Sequence, residues 1–176
     1  FSFASIFVST LFDIPAMTSM FRSINEKGGL LCADMTRCKN GETLEDIRPA
    51  LAYIDYLFPN YEEARAVSGR DTPEDIADAF LDCGLSCLVL KLGSKGCFLK
   101  SRQTAALVPA FPDARCIDTT GAGDNFAAGF LYALSEGMDP VECARFACAA
   151  ASLAVESVGA GTGVRSLEQV LDRYQN

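Results

Sequence analysis

Short apolar, β-rich runs alternating with helix-patterned segments constrain this chain more than any other feature. The runs are residues 3–9, Leu30-Leu31-Cys32-Ala33 closed by Asp34, Ile54-Asp55-Tyr56-Leu57-Phe58 stopped by Pro59, and Cys87-Leu88-Val89-Leu90. Each is strand-length, too short for an ordinary helix. Between them, residues 14–26 carry a helical pattern that stops at Gly28-Gly29. Thr43-Leu44-Glu45-Asp46 resembles a capping box that opens a second helix. Asn60–Ser68 reads as a third, and Thr72-Pro73 opens a fourth with Thr as N-cap and Pro at N1. Parallel neighbours need such crossover helices, so this order predicts an α/β sheet, largely parallel and covered on both faces.

After Leu90 the pattern changes. Gly93-Ser94-Lys95 reads as a turn into the strand Gly96-Cys97-Phe98-Leu99, and Thr104–Val108 as a further antiparallel strand. Cys116-Ile117 is expected to be a short strand, followed by an apolar helix from about Gly123 to Ser135. Pro140 starts another helix, running to about Ser157, and Ser166-Leu167-Glu168 starts the last.

Composition narrows the function classes. A formal net charge of −8 with no offsetting basic patch argues against nucleic-acid binding. Acidity leaves a nucleotide ligand open, because backbone N–H groups and Mg²⁺ neutralise phosphate locally. No apolar run approaches membrane-spanning length. The chain has no histidine, which removes Ser-His-Asp and Cys-His catalysis. Its eight cysteines contain no C-x-x-C pair and are expected to be free thiols of a cytoplasmic protein.

The sharpest motif is Asp118-Thr119-Thr120-Gly121-Ala122-Gly123-Asp124, between the expected short strand and a helix. Small residues there let backbone N–H groups approach an anion, and the helix start adds partial positive charge. A carboxylate beside such a nest suits accepting a proton from a hydroxyl while the nest holds a phosphoryl group. The competing reading makes Asp124 a plain N-cap. A dinucleotide fingerprint would need glycine where Phe126 stands, and no G-x-x-x-x-G-K-[ST] occurs. Gly159-Ala160-Gly161-Thr162-Gly163 reads as a loop after a helix.

The stretch from Asp118 through Asn125-Phe126-Ala127-Ala128-Gly129-Phe130 resembles the C-terminal signature of the ribokinase-like (PfkB) carbohydrate kinases. Phe58-Pro59-Asn60-Tyr61-Glu62-Glu63-Ala64 is similar to the family's N-x-x-E motif, and Val89–Gly96 to its nucleotide-side strand-turn-strand. The similarity runs from Phe3 over nearly the whole chain.

The resemblance implies a three-layer α/β/α ribokinase-like (Rossmann-like) domain, mostly parallel with an antiparallel portion. It also implies ATP-dependent phosphorylation of a sugar hydroxyl. Asp124 would be the base, and Gly121, Ala122 and Gly123 the anion hole. Asn60 and Glu63 would organise Mg²⁺ and phosphate. Lys91, Gly93, Gly96, Thr119 and Cys148 would border ATP, with Cys148 standing where many members have Asn. Asp34-Met35-Thr36-Arg37 matches loosely a segment that faces the phosphates in some relatives; a surface role for Arg37 stays open. A nucleoside (adenosine-like) kinase and a truncated, non-catalytic nucleotide-binding remnant are the alternatives.

Members of the family are longer, and the part without a counterpart here carries the sugar-binding residues and a β-sheet lid. Residues 1–176 are therefore expected to be the C-terminal part of a single kinase domain. The first strand would then present Phe1, Phe3, Ile6 and Phe7 to water, and self-association or a homodimer is expected.

Overall fold

The computed structural model describes residues 1–7, 12–39 and 41–175. Its order is β1 (Ser2–Ile6), α1 (Ile14–Glu26), β2 (Cys32–Met35), α2 (Leu44–Leu51), β3 (Tyr56–Leu57), α3 (Tyr61–Ser68), α4 (Pro73–Asp82) and β4 (Cys87–Lys91). A 3₁₀ turn (Gly93–Lys95), β5 (Cys97–Ser101), β6 (Ala105–Val108), α5 (Ala122–Ser135), α6 (Pro140–Ala154) and α7 (Leu167–Gln175) follow. The six strands lie in one mixed sheet in chain order.

β1 to β4 are parallel, with Ala33 opposite Leu57 and Leu57 opposite Leu88. The α/β expectation follows from this pairing: each of these strands is joined to the next through at least one helix. β4 to β5 and β5 to β6 are joined by turns too short for a crossover, which makes them hairpins. Leu92 N–H donates to Gly96 O at 2.8 Å, and Ser101 N–H to Thr104 O at 2.8 Å. The first of these turns holds Gly96 at φ +92°, and a Cβ there would also collide with Val108 O at the end of β6.

The chain divides into two compact units, Phe1–Lys91 with Phe98–Ala105, and Leu92–Cys97 with Ala106–Asn176. In the first unit α1 packs on α2, and α4 on α3 and β4. Its core includes Phe21, Leu51, Leu57, Ile76, Phe80 and Leu88, all inaccessible to solvent. In the second, α6 packs between α5 and α7. The α5–α6 contact is close because it is built from small residues: a Cβ on Gly129 would sit 2.9 Å from that of Ala150. Such contacts hold the middle of α5 against a rigid neighbour.

Several boundaries differ from expectation. The second strand begins at Cys32 and includes Asp34, which lies within the strand rather than closing it. The third strand shrinks to two residues, since Ile54 N–H turns back to Leu51 O after α2. Cys116-Ile117 forms no strand; Ile117 and Asp118 N–H groups both donate to Val155 O, at 2.7 and 3.2 Å. α6 ends at Ala154, short of Ser157. The exposed apolar strand is only partly present. Phe1 is 73% exposed, but Ile6 is buried, and Phe3 stacks edge-on against Phe21 at 5.3 Å. Val8 and Ser9 of the expected strand lie outside the described residues.

Candidate functional site

In the first unit the expected residues gather at the carboxyl ends of β2, β3 and β4. Asn60 follows β3 after Phe58 and Pro59 and caps α3: its side-chain oxygen accepts the Glu63 N–H at 2.9 Å. The Glu63 carboxylate returns the contact, accepting the Asn60 N–H at 2.9 Å. The N-x-x-E motif is thus a complete capping box, with the Asn and Glu side chains fixed by the helix start they terminate. Asn60 also bridges to Lys91 in parallel register. Burial pushes the Glu63 carboxyl above its ordinary range. The Asn60 N–H and the Lys91 ammonium pull it back, and Asp34 adds to the rise. Lys91 and Asp34 therefore belong to the same cluster as Glu63.

In the second unit α5 begins without a side-chain cap. α1, α3, α4 and α6 are each capped by Asp13, Asn60, Thr72 or Asp139, whereas α5 starts at Gly121 with φ +76°. Asp124 stands at the third helical position, which excludes the N-cap reading. Its side chain is exposed and makes no hydrogen bond among the described residues. First-turn N–H groups with no side chain over them, beside a free carboxylate, are what an anion and a hydroxyl would meet.

Other residues hold that arrangement. Asp118 accepts the Thr120 N–H at 2.9 Å and its hydroxyl at 2.7 Å through one oxygen. The other oxygen accepts the Gly159 N–H at 2.9 Å. These donors keep the Asp118 carboxyl below its ordinary value, the Gly159 N–H most of all. Thr119 contributes its carbonyl to the Ala122 N–H. Asn125 donates its side-chain amide to Gly121 O at 2.9 Å and Ala160 O at 3.0 Å. The Gly159–Gly163 cluster is therefore the brace of the signature loop, a role that reading it as a connecting loop missed. Asn125 was missed with it.

Cys148 is buried on α6, its sulfur 4.0 Å from that of Cys97 at the start of β5. Cys97 directly follows Gly96, and Gly93 sits in the same turn with φ +61°. The turn and α6 are thus in contact within this unit. Open grooves of about 540 and 380 Å³ flank α1, and none of the expected site residues lines either.

Residues 2–167 match the family model described as pfkB family carbohydrate kinase. The chain belongs to this family.

This pfkB chain is 40% identical over 124 residues to the ribokinase of Arabidopsis thaliana, 67% of this chain and 33% of that one. It is 31% identical over 116 residues to the 2-dehydro-3-deoxygluconokinase of Bacillus subtilis, 66% of this chain and 36% of that one. A solved structure of Arabidopsis thaliana ribokinase complexed with ribose and ATP superposes with a TM-score of 0.80 at 31% identity. That match covers 93% of this chain and 53% of the other. The chain spans about a third of the two relatives' length and about half of the solved one. Its α/β fold is the ribokinase-like one.

Among the described residues, no group of three or more Cys, Asp or Glu side chains is placed to hold a metal ion. No described helix is long and apolar enough to cross a membrane.

Proposed function

We propose that this chain supplies the nucleotide-binding and catalytic part of a cytoplasmic ATP-dependent sugar kinase, with Asp124 as the general base. The observation that carries this reading is the start of α5, where an uncapped glycine turn stands beside an unpartnered carboxylate. Asp124 accepts the proton of the sugar hydroxyl as that oxygen attacks the γ-phosphorus, and the bond from the γ-phosphorus to the bridging oxygen breaks to release ADP. The N–H groups of Gly121 and Gly123 meet the charge that builds on the phosphoryl oxygens, while the Ala122 N–H is engaged by Thr119 O at 3.2 Å. Thr119, Gly93, Gly96 and Cys148 border the nucleotide, and Lys91 faces its phosphates. The eight free thiols fit a reducing compartment.

Asn60 and Glu63 fit Mg²⁺ only through water. One Glu63 oxygen and the Asn60 side-chain oxygen are taken by the capping box. Magnesium retains several waters, so an outer contact of this kind suffices. Bound there, the ion supplies neutralisation of phosphate charge.

Asp124→Asn keeps the helix start and should keep ATP binding. The rate with the cognate sugar should fall by about 10² to 10⁴, the usual worth of a placed base. A variant with near-normal kcat would refute the assignment.

A further inference from the structure

Lys91, the last residue of β4, reaches across β3 to Asp34 in β2. Its ammonium donates to both Asp34 oxygens, at 2.9 and 3.1 Å, which engages two of its three N–H donors. The side chains are only 15% and 17% exposed. Asp34 is itself oriented, since one of its oxygens accepts the Met35 N–H at 2.8 Å.

A pair this buried is a poor way to stabilise a fold. Desolvating both ions offsets most of their attraction, and an apolar pair of similar volume would serve as well. Its position gives it another use. The pair lies over the carboxyl end of β3, where the chain enters Asn60 and the capping box, and open parallel sheets bind ligands outside the carboxyl ends of their strands. A lysine suits phosphate as a point charge, but its four-carbon stem must first be ordered.

We propose that Asp34 is a positioning residue that holds the Lys91 ammonium beside Asn60 and Glu63, ready to contact the β- and γ-phosphates of a nucleoside triphosphate. The inference rests on the nucleotide reading above. Asp34 orders the lysine stem before the ligand arrives, and Lys91 keeps one N–H to offer. The ordering of one long side chain corresponds to about a 3- to 10-fold change in affinity.

The test compares ATP with AMP, which lacks the outer phosphates, by calorimetric titration of the full chain in Mg²⁺. Asp34→Asn keeps an acceptor for Met35 and Lys91 and should weaken ATP about 3- to 10-fold, with AMP within about twofold. Lys91→Met should weaken ATP about 10- to 100-fold, as loss of a charge-assisted contact does. In the Lys91→Met background, Asp34→Asn should do nothing further. That double variant removes both charges, and Asp34→Glu keeps both, so folded protein is retained if a single neutralisation unfolds the chain. Asp34→Glu, which displaces the carboxylate by one methylene, should also weaken ATP relative to AMP.

Unchanged or tighter ATP binding in both Asp34 variants overturns the proposal, as does equal loss for ATP and AMP, or additivity in the double variant. Wild-type chain that binds no ATP overturns the nucleotide reading itself and this role with it. ATP binding that is indifferent to Asp34 removes only the positioning role.

Discussion

Replacing Gly121 by alanine puts a methyl group 2.5 Å from the Ala160 Cβ and 2.6 Å from its Cα, at a residue with φ +76°. Two costs add. An L-residue in the left-handed region carries about 1–2 kcal/mol. Forcing a methyl into occupied space carries about 1–3 kcal/mol, since the obstacle includes backbone that cannot swing aside. The sum, about 2–5 kcal/mol, is a large share of the roughly 5–15 kcal/mol that holds a domain together. Two nearby glycines act as controls. Gly159, at φ +90° with open space around it, should show the conformational cost alone, about 1–2 kcal/mol. Gly161 has an ordinary φ and open space, so Gly161→Ala should be neutral or stabilise by up to about 1 kcal/mol. Urea unfolding of the three variants, compared at constant m-value, gives the ranking. Gly121→Ala no costlier than Gly159→Ala would refute the close packing of the two glycine loops.

Two pH predictions follow from the carboxylates. Burial raises the Glu63 carboxyl, so its stabilising contribution is complete below the ordinary Glu range and is lost as pH climbs through the raised value. Glu63→Gln, which keeps an acceptor for the Asn60 N–H, should therefore gain on wild type between about pH 4 and pH 7 in urea melts; a flat difference refutes this. Asp118 has the opposite sign: the Gly159 and Thr120 donors lower it, so its contribution is present above the ordinary Asp value and fades as pH falls through the lowered one. Asp118→Asn should be destabilised at neutral pH, with the gap to wild type closing below about pH 4, and a gap that persists in acid would count against these hydrogen bonds.

The helices were the most legible part of the fold because their ends are written locally. Asp13, Thr72 with Pro73, and Asp139 with Pro140 terminate helices within residues of where the sequence places them. Strand limits were less legible. Leu30 and Ile54 carry the same apolar character as the residues after them, but pairing in the sheet depends on partners elsewhere in the chain. That is how Asp34 came to lie inside β2. A strand before the signature loop was expected from Cys116-Ile117, yet the Ile117 and Asp118 N–H groups find Val155 O, a partner that no local pattern announces.

The candidate site divides along the same line. What the α5 start offers a ligand is set by Gly121, Gly123 and Asp124, neighbours in sequence whose chemistry can be read directly. What keeps that start in place is set at a distance. Gly159 lies 41 residues from Asp118 and acts through its backbone N–H, which leaves no side-chain signature to read. Asn125 stands inside the signature, but its second acceptor is Ala160 O, 35 residues away. Lys91 and Asp34 are 57 apart, and a lysine at a strand end looks the same whether it meets solvent or a buried carboxylate. A loop of small residues fails as an anion site if it collapses onto its own carbonyls. The distant carbonyl of Ala160 and the distant N–H of Gly159 oppose that collapse by engaging Asn125 and Asp118, one at each end of the loop.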